Sequence, residues 1–177
     1  MQPRVIGLDL SLAATGIARV DGSLDIITTG PGDHLGDQRD RLRHITDEVI
    51  ARTKAGLFEG PHLAVIEGPS YNSRGAGTWD RAGLWWLVVD RLFHECVPVA
   101  VVPPAALKRY ATGRGNATKA DMRLALYQRE HRDVRDDNMV DARWLALMGL
   151  DWLGFSPILL PKTHRDAMTK IDWPEVA

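Results

Sequence analysis

Val5-Ile6-Gly7-Leu8-Asp9-Leu10-Ser11 is an apolar run with one carboxylate set inside it. Its density of Val, Ile and Leu reads as a strand. An ionised carboxylate in such surroundings is costly unless it is paired, hydrogen-bonded or bound to a metal. The same pattern returns in Leu63-Ala64-Val65-Ile66-Glu67-Gly68-Pro69, where Glu67 ends the run, and in Asp137-Asn138-Met139-Val140-Asp141-Ala142, which opens an apolar helical stretch. Three such sites, far apart in the chain, point to one acidic cluster for a divalent cation.

Outward from that first run, Thr15 to Val20 partly alternates, Asp21-Gly22 is a hairpin signal, and Leu24-Asp25-Ile26-Ile27-Thr28-Thr29 reads as a further strand. The first thirty residues therefore predict a three-stranded antiparallel meander. Leu42, Ile45 and Val49 recur at helical spacing over 38–54, and 62–66 is a short strand. A broad apolar helical face follows over 78–95, built on Trp79, Ala82, Trp85, Trp86, Val89, Leu92 and Phe93. The strand at 97–102 is stopped by Pro103-Pro104. Thr118-Lys119-Ala120-Asp121 resembles a capping box with Asp in place of Glu, so a helix starts there and runs to about residue 130. The last main helix covers 137–152, and the tail from Pro161 is a polar helix or loop. This order predicts an α/β fold, a mixed five-stranded sheet flanked by helices. The expected division is one domain over 1–155 with a C-terminal extension, 156–177, packed on or beside it.

The chain has 177 residues, 45% of them hydrophobic, enough for one sizeable core. A formal net charge of −1 excludes strong polyanion binding by bulk charge, so any nucleic-acid surface must come from local clustering. The single cysteine, Cys96, excludes an intramolecular disulfide and fits a reducing compartment. Met1-Gln2-Pro3-Arg4 leads into a strand without an apolar leader, and no apolar run reaches membrane-spanning length. The expectation is a soluble, cytoplasmic chain with no membrane contact.

Asn138 and Asp141 are three residues apart and Asp137 and Asp141 four apart, spacings that share one helical face. Docked near Asp9 and Glu67, that face would complete an oxygen-only cage suited to Mg²⁺ or Mn²⁺ and not to zinc. Two such ions about 3.5–4 Å apart activate water and stabilise the leaving oxygen of a phosphodiester. The plainer alternative makes Asp9 a solvated strand-end residue and Asp136 and Asp137 ordinary helix-capping acids.

Between Lys108 and Arg135 lie eight basic residues (Lys108, Arg109, Arg114, Lys119, Arg123, Arg129, Arg132, Arg135) against the three acids Asp121, Glu130 and Asp133. Such a local excess is the footprint of a phosphate-binding strip; the alternative is a solvated helix face with internal ion pairs. Gly113-Arg114-Gly115-Asn116 can bring backbone N–H groups close to phosphate, and Arg74 is placed for a phosphate contact. Trp85 and Trp86 point about 100° apart on a helix, so one of them can lie off the core and serve a homodimer interface.

Taken together, the fragments resemble the RuvC-type Holliday-junction resolvases of the ribonuclease-H-like nucleases. The resemblance rests on Gly7-Leu8-Asp9-Leu10-Ser11 with Thr15-Gly16, Val65-Ile66-Glu67-Gly68, Val102-Pro103-Pro104 leading to Lys108, Gly115-Asn116-Ala117-Thr118-Lys119, and Asp141-Ala142, in that order over residues 4–150. It implies a ribonuclease-H-like fold and a metal-dependent endonuclease, working as a homodimer, that makes paired nicks in branched DNA such as a four-way junction. Asp9, Glu67 and Asp141 fall on its metal-binding carboxylates. The family's fourth ligand, three residues before the last Asp, is here Asn138, so either its carbonyl oxygen or the neighbouring Asp137 fills that place. Lys108 and Lys119 match basic residues at the junction and the scissile phosphate, and Tyr71 stands near an aromatic that wedges or stacks on bases. Two other readings compete: a junction binder too poor in acids to catalyse, and an actin- or hexokinase-like phosphotransferase, which generally needs a second domain of similar size.

Overall fold

The apolar runs pair into one sheet. The computed structural model describes residues 3–54, 62–69 and 77–176. Strands β1 (Val5–Asp9), β2 (Ala14–Arg19) and β3 (Leu24–Thr28) form the expected antiparallel meander, and β4 (Leu63–Glu67) and β5 (Val99–Val102) extend it in parallel on the other side of β1. The order is β3-β2-β1-β4-β5, a mixed five-stranded sheet. The connections are α1 (Leu35–Lys54) between β3 and β4, and α2 (Thr78–His94) between β4 and β5. After β5 come α3 (Pro104–Thr112), α4 (Lys119–Glu130), α5 (Asp137–Trp152), the single turn α6 (Lys162–Arg165) and a 3-10 turn, Asp166–Lys170.

Because successive strand side chains point to opposite faces, each strand divides its apolar residues between two cores. Ile6, Leu8, Ile17, Ala64 and Ile66 pack with Ile45 and Val49 of α1 and with Leu84, Val88 and Leu92 of α2. Val5, Leu63, Val65, Ala100 and Val102 face the other way, against α3, α4 and α5. The second core is closed from outside by the tail, whose Ile158, Ala167, Met168 and Ile171 are all buried in it.

One element departs from the sequence reading. Pro103-Pro104 does end β5, but it also begins α3: Pro103 is the N-cap and Pro104 opens the first turn. The first helical position needs no backbone N–H, and proline's fixed φ suits it. At α4 the structure carries both halves of the capping box, with Asp121 N–H donating to the Thr118 hydroxyl at 3.2 Å and Thr118 N–H donating to the Asp121 carboxylate at 2.9 Å.

Helix α5 lies against β1 and β2 unusually closely. A Cβ on Gly7 would overlap the Ala142 carbonyl oxygen and lie 2.6 Å from the Ala146 nitrogen; one on Gly16 would overlap the Asn138 carbonyl. Ala18, Ala142 and Ala146 complete this thin seam, all fully buried. The glycines thus set the distance at which the start of α5 meets the sheet. Among the described residues no helix is long and apolar enough to cross a membrane.

Candidate active site

Register and alternation bring the first two acids together. β1 and β4 run parallel with Leu8 opposite Ile66, so Asp9 and Glu67 come next in register at the ends of adjacent strands. Asp9 shares a face with Val5 and Gly7, and Glu67 with Leu63 and Val65, so both side chains lie on the α5 side of the sheet. Gly16, paired with Asp9, receives α5 at Asn138, and Asp141 follows one turn later. The Thr15 hydroxyl holds the loop after Asp9, donating to the Ser11 carbonyl at 2.8 Å and accepting from Ser11 N–H at 3.1 Å. Trp85 of α2 donates its indole N–H to the Glu67 carbonyl at 3.0 Å.

The three carboxylates feel one another strongly. Burial, then the charges of Glu67 and Asp141, raise Asp9 well above the ordinary carboxylate range; it is only 8% exposed. Burial and the Asp141 charge push Glu67 up to about 7, against some relief from Lys108. Burial and Asp137 push Asp141 up to about 6, eased by Lys119 and Lys108. Among the described residues, no hydrogen bond or ion pair reaches the carboxylate of Asp9, Glu67 or Asp141. Such a set suits a hard divalent cation, which would remove the repulsion among the charges. The side chains are not gathered into a finished shell, however: among the described residues no group of three or more His, Cys, Asp or Glu stands ready to hold an ion.

The remaining predicted residues divide. Asp137, the first residue of α5, pairs with Lys119 Nζ at 3.1 Å and Arg123 Nε at 3.3 Å. These two contacts tie the start of α5 to the start of α4, and the Asp137 partner is the main reason the Lys119 ammonium is held above its usual pKa. Asp136, read as a capping acid, is the N-cap of α5: its Oδ1 accepts from Asn138 and Met139 N–H at 2.9 and 3.0 Å. Lys108 lies in the field of both Glu67 and Asp141. Arg114 is drawn to Asp121 at 3.2 Å and lines a separate polar cavity with Arg129 and His164, so it is not brought to the acids. Tyr71 and Arg74 lie outside the described residues.

Half of the eight basic residues in the strip pair with acids, Arg114 and Arg135 with acids inside it and Lys119 and Arg123 with Asp137. Arg135 pairs with Asp133, and Arg132 donates to the Gly22 carbonyl. The side chains of Lys108, Arg109 and Arg129 make no hydrogen bond or ion pair among the described residues. Sequence reasoning missed Trp85 as a support for Glu67 and Gly16 as the seat of α5. The glycine's place opposite Asp9 is set by the β1–β2 register across the turn at 10–13, which the Asp21-Gly22 signal between β2 and β3 does not supply.

A sheet with antiparallel β3-β2-β1 and parallel β1-β4-β5, acids on its β1 and β4 ends and a covering helix that brings another, defines the ribonuclease-H-like α/β class. Two solved structures narrow it. The structure of RuvC from Thermus thermophilus matches with a TM-score of 0.67 at 18% identity, covering 88% of this chain and 99% of that one. T. thermophilus RuvC in complex with Holliday junction substrate matches with a TM-score of 0.65 at 17% identity, covering 89% and 99%. The fold is therefore of the RuvC type. No family model matches the chain. No curated protein matches it in sequence.

Proposed function

We propose that this chain is a divalent-metal-dependent, structure-specific endonuclease that cuts four-way junctions or related branched DNA. One observation carries the reading: three carboxylates without contact partners among the described residues, Asp9 buried and Glu67 and Asp141 half-buried, share one end of a RuvC-type sheet. Acids that serve only the fold are normally paired when buried.

In this reading Asp9, Glu67 and Asp141 hold Mg²⁺ or Mn²⁺, two ions in the full complement. Asn138 stands where a further oxygen would enter. Bound ions would supply Lewis-acid activation of water and charge neutralisation at the phosphate. The chain's own residues do the rest. Glu67 is oriented through the Trp85 bond to its backbone. Lys119 is held beside the acids by Asp137, which makes Asp137 a positioning residue on this reading. Lys108, with no partner of its own among the described residues, is available to a non-bridging phosphate oxygen. Arg114, Arg74 and Tyr71 would meet DNA beyond the cut.

A homodimer through α2 completes the proposal. Trp79, Trp86 and Phe93 recur every seven residues and are 89%, 65% and 63% exposed. They form one stripe about 21 Å long on the helix. Trp86→Glu should convert a dimer into a monomer in light scattering.

The deciding experiment is Mg²⁺-dependent cleavage of a synthetic four-way junction beside a linear duplex, repeated with Asp9→Asn. Cutting confined to the branched DNA and abolished in Asp9→Asn supports the proposal; cutting unaffected by Asp9→Asn overturns it. A junction binder that does not cut is the second reading, favoured by the absence of a ready-made ion cage among the described residues. Tight junction binding with no cutting in Mg²⁺ or Mn²⁺ selects it.

A further inference from the structure

Beside the acids a cavity of about 220 Å³ opens toward α2, lined among others by Asp9, Leu10, Glu67, Pro69, Arg81 and Trp85. Its walls are mainly apolar, and two of the three acids form one side of it. Trp85 has already committed its only polar atom to the Glu67 carbonyl, so what it offers a ligand is aromatic surface. Arg81, which donates to the Thr78 hydroxyl at 3.2 Å, brings a guanidinium to the same lining.

A phosphodiester carries a nucleoside on each side. If its phosphate is held at Asp9 and Glu67, one of the two adjoining nucleosides is within reach of the cavity that these two residues also line. A second phosphate would be repelled by the same acids, and a deoxyribose has no flat face to pack on the indole. A base fits better: its faces are apolar and its edge carries acceptors that a guanidinium can meet. We propose that this cavity receives the nucleobase of one nucleotide adjoining the cut phosphate, packed on Trp85, with Arg81 donating to the base edge. The inference rests on the nuclease reading and adds a base-recognition subsite to it.

The test uses the whole protein and a synthetic four-way junction held in Ca²⁺, with affinity read by fluorescence anisotropy. An abasic nucleotide is moved one position at a time around the crossover, against wild type, Ala82→Phe (which fills the cavity) and Trp85→Phe (which keeps a ring but loses the bond to Glu67). Loss of one stacked base should weaken wild-type binding about tenfold at one position only. Ala82→Phe should bind the intact junction as weakly as wild type binds the abasic one, and show no further loss at that position. Trp85→Phe should retain part of the position dependence. Losses of under twofold at every position overturn the subsite, as does a position dependence that survives in Ala82→Phe. Cleavage in Mg²⁺ separates the two claims. A junction that is cut but indifferent to the missing base removes the subsite alone. Base-dependent binding without cutting keeps the subsite and removes the nuclease reading.

Discussion

Helix α5 carries an inward aspartate near each end, one half-buried and one buried, and the two are treated in opposite ways. Asp151, near its C-terminus, is 7% exposed and accepts hydrogen bonds from Arg165 Nε at 2.9 Å and the Tyr110 hydroxyl at 3.2 Å. Asp141, near its N-terminus, is half-buried with no hydrogen bond or ion pair to its carboxylate among the described residues and is pushed up to about 6. Between them Arg143 is satisfied completely: it grips Glu130 through Nε and Nη2 at 2.9 and 2.6 Å and donates to the Arg19 carbonyl at 3.0 Å. A chain able to pair every charge along the rest of this helix leaves Asp141 bare beside two more acids. On the proposed reading, that contrast separates charges that hold the fold from charges kept for a ligand.

The largest expected effect tests the paired side. Arg143→Met should cost about 3–5 kcal/mol in denaturant unfolding, because Glu130 would keep a buried charge with its partner gone. Arg143 also ties α5 to β2, so the start of α5 should loosen in hydrogen exchange. A cost below about 1 kcal/mol would place this pair among surface salt bridges and blur the contrast.

A smaller cost is expected at the far end. Asp151→Ala removes a double acceptor but leaves Arg165 half in water and the Tyr110 hydroxyl within 3.3 Å of the Leu147 carbonyl. The loss should be about 1–3 kcal/mol. It should be accompanied by release of the tail, seen as faster proteolysis near α6, because Arg165 is the residue that pins α6 to α5. On the nuclease reading, junction cutting should persist at temperatures where the variant is folded. Loss of cutting in the folded variant would show that this end of α5 also serves the site.

How much of this was legible in the sequence follows from what each feature depends on. Strands, the Thr118-Asp121 capping box and α5 depend on local pattern, and they stand within a few residues of their expected places. Asp9, Glu67 and Asp141 were visible because an acid inside an apolar run is costly wherever the chain goes. The helix α3 was lost because proline was weighed only as a breaker and not as a first-turn residue. The pairing of Asp137 with Lys119 and Arg123 depends on how α4 and α5 meet, which no spacing within α5 reveals. The tail's burial was hidden too: Ala167, Met168 and Ile171 are too few and irregular to show a period.

The bare end of the helix makes the subtlest prediction, and its sign is opposite to that of the other two. Glu67 and Asp141 titrate at ordinary values of 4.5 and 3.8 when unfolded, but near 7 and 6 in the folded protein, with Asp9 raised as well. The folded state therefore binds more protons than the unfolded state between those limits. Their contribution is fully present below about pH 4 and is lost as pH rises through 6 and 7. Asp141→Asn removes one of these charges, so in metal-free buffer it should be more stable than wild type at pH 8 by about 1–2 kcal/mol, with the gap closing toward pH 4. Adding Mg²⁺ should raise the wild-type melting temperature at pH 8 and leave Asp141→Asn nearly unmoved, because the ion replaces the proton as the counter-charge. If Asp141→Asn is instead destabilised at pH 8 as Asp151→Ala is, Asp141 has a structural partner after all, and the two ends of the helix are alike.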